Sequence, residues 1–138
     1  MRVLIDSNIL FSTLYSSGST PHRAYVKAVN PPYSGLICEQ SLDELSNSFI
    51  KKFPDRSDDL KIFIYDVSSV IDIIPIPEAE HPDELKLRDP DDALILRAAI
   101  AANADIILTG DHDFLKSSIN TPRIMTSAQF LDMDYIKI

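Results

Sequence analysis

Two runs of consecutive apolar residues, Val3-Leu4-Ile5 and Ile106-Ile107-Leu108, give way abruptly to acids: Asp6 after the first, Asp111 and Asp113 shortly after the second. Neither run alternates with polar residues, which is the pattern of strands buried on both faces of a parallel sheet. Asp6 therefore falls at the C-terminal edge of its strand. In open α/β sheets ligands bind at that edge, in the crevice where the strand order reverses, and a first strand is a natural place for the reversal.

The rest of the pattern alternates helices with strands. Residues 8–15 read as the first turns of a helix stopped near Ser16-Ser17-Gly18, and Thr20-Pro21 starts another, with a hydroxyl cap and proline at the first helical position. This second helix runs to about Val29, with Ala24, Val26, Ala28 and Val29 available for packing, and Pro31-Pro32 closes it. A strand follows over residues 34–38. Ser41-Leu42-Asp43-Glu44 matches a capping box opening a helix with Leu42, Leu45, Phe49 and Ile50 at helical spacing, ending near Phe53-Pro54. Residues 57–69 form a further amphipathic helix with Leu60, Ile62, Phe63, Ile64 and Val67 inward, and the β-branched stretch 70–74 is a strand. Residues 77–89 are polar, proline-bearing and aperiodic, a surface loop approaching the active edge. Asp89 caps, and Pro90 opens, a strong helix over 93–102. After the second acidic strand come a short helix over 114–118, a last strand over 123–125 and a terminal helix over 127–133. Such alternation, with connections too long for hairpins, is the signature of right-handed βαβ units and a parallel sheet covered on both faces.

The chain has 138 residues, enough for one domain with a single core, and its 45% apolar content is that of a globular protein. No apolar run approaches the roughly 20 residues that span a bilayer, and the start, Met1-Arg2-Val3-Leu4-Ile5-Asp6, does not resemble a signal peptide. A cytoplasmic location is expected. The lone Cys38 excludes an intramolecular disulfide and reads as a buried strand residue. A formal charge of −8 argues against a broad electrostatic footprint on nucleic acid. It remains compatible with nucleic-acid chemistry if clustered carboxylates bind divalent cations, which reverse the local field.

Acids recur where strands end or helices begin, at Asp6, Glu44, Asp89, Asp92, Asp111 and Asp113. Gathered at one sheet edge they repel strongly unless protons or cations intervene, and hard oxygen ligands without histidine or thiolate select Mg²⁺ or Mn²⁺. A metal held this way serves phosphoryl transfer, with water rather than a protein nucleophile as the attacking group. Each acid also has a plain structural duty to weigh against this. Asp89 before proline is a helix cap, Glu44 completes its own capping box, Asp92 suits a helix dipole, and Asp113 caps the helix at Phe114. Asp6 and Asp111 end core strands and show no evident capping duty. His22, His81 and His112 lack metal-ligand spacing, and Lys51, Lys52, Arg56, Lys86, Arg88 and Arg97 read as solvated faces, with a substrate-phosphate role the alternative for any of them.

Asp6-Ser7-Asn8-Ile9-Leu10, Glu44 in a helix, Asp89-Pro90-Asp91-Asp92-Ala93-Leu94 and Thr109-Gly110-Asp111-His112-Asp113-Phe114 together resemble a PIN domain across essentially the whole chain. Within that superfamily the pattern is similar to the small stand-alone VapC-type toxins of prokaryotic toxin-antitoxin systems. The resemblance implies a three-layer α/β/α sandwich with a central, mostly parallel sheet of about five strands. It also implies a Mg²⁺- or Mn²⁺-dependent ribonuclease. By motif, Asp6, Glu44, Asp92 and Asp111 match the family's main acids and Asp113 an additional one; Asn8 and Thr109 fit its polar supports, and Asp89 an acid found in part of the family. A homodimer, an RNA substrate and an antitoxin partner are implied as well, although no antitoxin-binding signature is visible. Three rivals stand beside this reading. A receiver domain would need adjacent acids after the first strand and a lysine after the fifth. A haloacid-dehalogenase-type phosphatase would need a second aspartate where Asn8 stands, and the scaffold could instead bind RNA or a protein without cleavage.

Overall fold

A computed structural model of the chain describes residues 1–134. Five strands, β1 (Arg2–Ile5), β2 (Ser34–Cys38), β3 (Ile71–Ile74), β4 (Ile106–Leu108) and β5 (Arg123–Met125), make one sheet in the order β3-β2-β1-β4-β5. Every neighbouring pair is parallel. One face carries α1 (Ser7–Tyr15), α2 (Thr20–Ala28), α3 (Glu39–Lys52), α4 (Ser57–Val70) and α7 (Ser127–Asp132); the other carries α5 (Pro90–Ala101) and the single-turn α6 (His112–Leu115). The expected α/β/α sandwich is what forms.

Alternation along β1 builds both cores at once. Val3 and Ile5 pack among Ile9, Leu45 and Phe130 on the first face, while Leu4 packs with Ile95, Leu96 and Phe114 on the second, all three strand residues being wholly buried. The uninterrupted apolar run follows from having two faces to fill. From β1 the chain steps outward through β2 to β3, then returns to lay β4 on the other side of β1. The order reverses there, so the ends of β1 and β4 frame the crevice as anticipated. A receiver domain, with its 2-1-3-4-5 order, differs in this respect.

Several local expectations are corrected. The capping box at Ser41 does not form: β2 runs straight into α3, Cys38 holds the cap position without a side-chain bond, and Ser41 is buried within the helix. Glu44, relieved of that duty, is free to face the crevice. Ser19, not Thr20, caps α2 by accepting from the His22 amide, and α6 begins at His112, earlier than expected. Ile62, assigned inward, is 62% exposed, and Val26 and Ile50 are exposed too.

The segment between β3 and α5 is more ordered than a plain loop. Pro82–Lys86 forms a 3₁₀ turn capped by His81. Arg97, read as solvated, holds that turn to α5. Its Nη2 and Nε donate to Glu84 at 2.8 and 3.1 Å, its Nη1 donates to the Pro77 carbonyl at 3.1 Å, and the paired side chains are only 13% and 10% exposed. Hydrogen bonding from Arg97 holds the Glu84 carboxyl below its ordinary value.

Candidate active site

Every acid singled out in the sequence except Asp113 reaches the same cleft. Its cavity of about 280 Å³ is lined by Asp6, Ser7, Asn8, Glu44, Ser48, Asp89, Asp91, Asp92, Ile95 and Asp111. Strand β1 delivers Asp6, α3 delivers Glu44 and Ser48, the first turn of α5 delivers Asp89, Asp91 and Asp92, and the turn after β4 delivers Asp111. Thr109 lies behind the wall, fully buried, and Asp113 is exposed outside the lining. Ser7, Ser48 and Asp91 were not anticipated. Ser48 could have been found from helical spacing, since it lies one turn beyond Glu44.

Asp6 and Asp111 do cap helices, contrary to the sequence reading. Asp6 Oδ1 accepts from the Ser7 amide at 2.7 Å at the start of α1, and Asp111 Oδ1 accepts from the Asp113 and Phe114 amides at 2.8 and 3.4 Å at the start of α6. Capping uses Oδ1 of each; Oδ2 of Asp6 is held from behind by other side chains, and Oδ2 of Asp111 takes no part in the cap. Thr109 couples the two strand ends: its hydroxyl donates to Asp6 Oδ2 at 2.7 Å and accepts from the Asp111 amide at 3.1 Å. Asn8 adds a weaker contact, its Nδ2 lying 3.5 Å from Asp6 Oδ2 while its Oδ1 accepts from the Gly110 amide at 3.3 Å. Across the cleft, Glu44 accepts from Ser7 Oγ at 3.2 Å and Gln40 Nε2 at 3.1 Å.

The tightest grouping is Asp89, Asp92 and Asp111, each offering an oxygen within 4.8 Å of the others. Asp89 also caps α5, accepting from the Asp91 amide at 2.9 Å. Two full charges at 4.8 Å repel by roughly 3.5 kcal/mol at an effective dielectric constant near 20. The α5 dipole returns only about 0.3–1 kcal/mol per acid. The deficit appears at Asp92, which burial, and then Asp111, Asp89, Asp6 and Asp113, push up to about 7. Burial also raises Asp6, against the lowering effect of its Thr109 and Ser7 bonds.

Asp92 Oδ2 is buried and has no hydrogen-bond partner among the described residues. An orphaned carboxylate oxygen in a ring of carboxylates calls for a proton or a cation. The cleft lining contains oxygen donors and neither histidine nor cysteine, so the residues fit a hard dication such as Mg²⁺ or Mn²⁺.

A parallel α/β sandwich with a carboxylate pocket at its switch point defines the class. The sequence profile of the PIN domain matches residues 2–113, and the chain belongs to that family. Among solved structures it is similar to VapBC2 from Rickettsia felis bound to a DNA fragment from its promoter, with a TM-score of 0.70, 18% identity, and coverage of 91% of this chain and 98% of the other. It is also similar to Mycobacterium tuberculosis VapC20, described as a sarcin-ricin loop cleaving toxin, with a TM-score of 0.57, 15% identity, and coverage of 82% and 92%. At those identities the likeness is one of fold, that of VapC-like PIN domains. No curated protein matches the sequence. No helix among the described residues is long and apolar enough to cross a membrane.

Proposed function

We propose that the protein is a Mg²⁺- or Mn²⁺-dependent endoribonuclease that hydrolyses RNA phosphodiester bonds, the toxin component of a toxin-antitoxin pair, acting in the cytoplasm as a homodimer. The observation that carries this reading is the buried, partnerless Asp92 oxygen among Asp89 and Asp111 at the switch point of a PIN domain. The similar folds support the biology: one belongs to a VapBC assembly, and the other is described as cleaving the sarcin-ricin loop.

Asp92, Asp111 and Asp6, joined by Asp89, would hold the metal, and Asp113 adds negative charge from outside the ring. A dication bound there supplies Lewis acidity, easing ionisation of water and offsetting charge on phosphate oxygens. Thr109 and the α1 amide at Ser7 fix the Asp6 carboxylate so that its remaining lone pairs face the cleft. Glu44, anchored by Ser7 and Gln40, stands across the cleft, where it orients a water molecule and receives its proton. Asn8 ties the Gly110 turn to Asp6 and keeps the two walls in register.

The test is cleavage of RNA and of single-stranded DNA with Mg²⁺, with and without chelator. RNA is cut, chelator stops cutting, and Asp6→Asn lowers the rate by more than the roughly 10–100-fold that loss of an outer metal partner costs. Circular dichroism of the variant should match that of the wild type. A variant that cleaves at the wild-type rate overturns the mechanism.

A further inference from the structure

The acidic cleft continues into a second hollow of about 400 Å³, and the two share Ser7, Asn8, Glu44 and Ser48 in their walls. Its other lining residues are Phe11, Ser12 and Leu45, which supply an aromatic ring, a hydroxyl and an aliphatic floor. Helical spacing makes it a groove. Glu44, Ser48 and Lys52 recur at every fourth residue of α3, and Phe11, Ser12 and Tyr15 follow one edge of α1. From Glu44 to Lys52 the path is about 12 Å along the helix. Over that distance it changes from anionic through neutral to cationic.

Lys52 lies beyond the lining of the hollow, tied to it through Phe11: its Nζ is 5.8 Å from the Phe11 ring centroid, 4.9 Å from that of Tyr15 and 5.7 Å from that of Phe53. Tyr15 stacks on Phe53 at 5.7 Å and is 58% exposed. Lys52 makes no ion pair with a carboxylate among the described residues, in a chain whose net charge is −8. Aromatic rings rather than an acid hold this ammonium in place, so its charge stays available to an anion.

We infer that the hollow receives the base of a single-stranded RNA nucleotide next to the scissile phosphate, and that Lys52 contacts the following backbone phosphate; this rests on the nuclease reading above. The base stacks against Phe11 and meets the hydroxyls of Ser12 and Ser48 with its polar edge, while Tyr15 offers the next base a face. An apolar peptide side chain would satisfy the ring and leave the hydroxyls and the ammonium unmatched. The groove supplies attraction that the acidic surface as a whole withholds.

Two measurements on the full chain test this. The first is steady-state cleavage of a short single-stranded RNA with Mg²⁺ by wild type, Lys52→Glu, Lys52→Arg and Tyr15→Ala. The second is fluorescence-anisotropy binding of the same RNA, with the same substitutions placed in the Asp6→Asn background. Lys52→Glu should raise KM and Kd by about tenfold or more with kcat unchanged, Tyr15→Ala should raise them several-fold, and Lys52→Arg should restore wild-type values. If the wild type cleaves RNA and both Lys52→Glu and Tyr15→Ala keep its KM and Kd, the subsite is wrong and the nuclease stands. If those variants lose only the binding of a protein partner, the groove is a protein site and the inference is overturned. A wild type that neither binds nor cleaves RNA removes both readings.

Discussion

Asp92 shows what the carboxylate ring costs the fold. With its pKa pushed up to about 7, Asp92 in the metal-free native chain keeps a proton that the unfolded chain releases near the ordinary value of 3.8. The native state therefore binds more protons between those limits, and stability falls as pH rises through the window, by at most about 1.4 kcal/mol per pH unit, before levelling above about 7. Asp6, also raised, acts in the same direction. In chelator, the urea midpoint should be higher at about pH 5.5 than at about pH 7.5, and saturating Mg²⁺ should remove most of the difference, because the ion replaces the proton. Asp92→Asn should raise the melting temperature in chelator and abolish the shift that Mg²⁺ produces. An unchanged pH profile in that variant would remove Asp92 as the source.

At the scale of elements, the turn at Pro82–Lys86 is bound to α5 through Arg97 and Glu84, and it leads into Asp89 at the start of the same helix. Arg97→Leu should loosen the connection, leaving Glu84 unpaired but altering none of the carboxylates that line the cleft. Hydrogen exchange should accelerate over residues 77–89, and Mg²⁺ affinity should fall several-fold while the core amides of β1 and β4 stay protected. Exchange unchanged across that segment would mean the turn holds itself. The elements also show what was legible beforehand. Strands β1 and β4 declare themselves because they are apolar on both faces, and α5 because Asp89-Pro90 is a strong opening. The start of α3 was obscured because Ser41 and Glu44 satisfy the spacing of a cap, while the real boundary at Cys38 carries no capping side chain. Asp6, Asp89, Asp92 and Asp111 were legible as a set through their positions at element ends, whereas Glu44 sits inside α3 and was placed at a helix start that does not exist. Their division of labour was not: whether Asp89 only caps, or Asp6 and Asp111 cap as well, depends on which oxygen faces the cleft. That is settled by tertiary packing around Thr109 rather than by local sequence.

Across the whole molecule the surface field is set by 21 acids against 13 lysines and arginines. A nuclease with this balance repels its substrate at long range, so the association rate with RNA should rise, not fall, as NaCl increases from low to physiological concentration at fixed Mg²⁺. Stopped-flow binding to the Asp6→Asn protein measures this, and a rate falling steeply with salt would reveal a basic face that outweighs the net charge. Added Mg²⁺ should raise the rate as well, and more steeply, because the ion creates the local attraction that the surface lacks.

Thr109 and Asp111 sit just beyond the fourth strand, whereas the carboxylates they must join are encoded far earlier in the chain. A ribosome that has translated as far as Ala104 has already made Asp6, Glu44, Asp89 and Asp92, yet the partner strand that anchors Asp6 does not exist. The growing polypeptide therefore cannot assemble the carboxylate ring until β4 and the turn that carries Asp111 have been made.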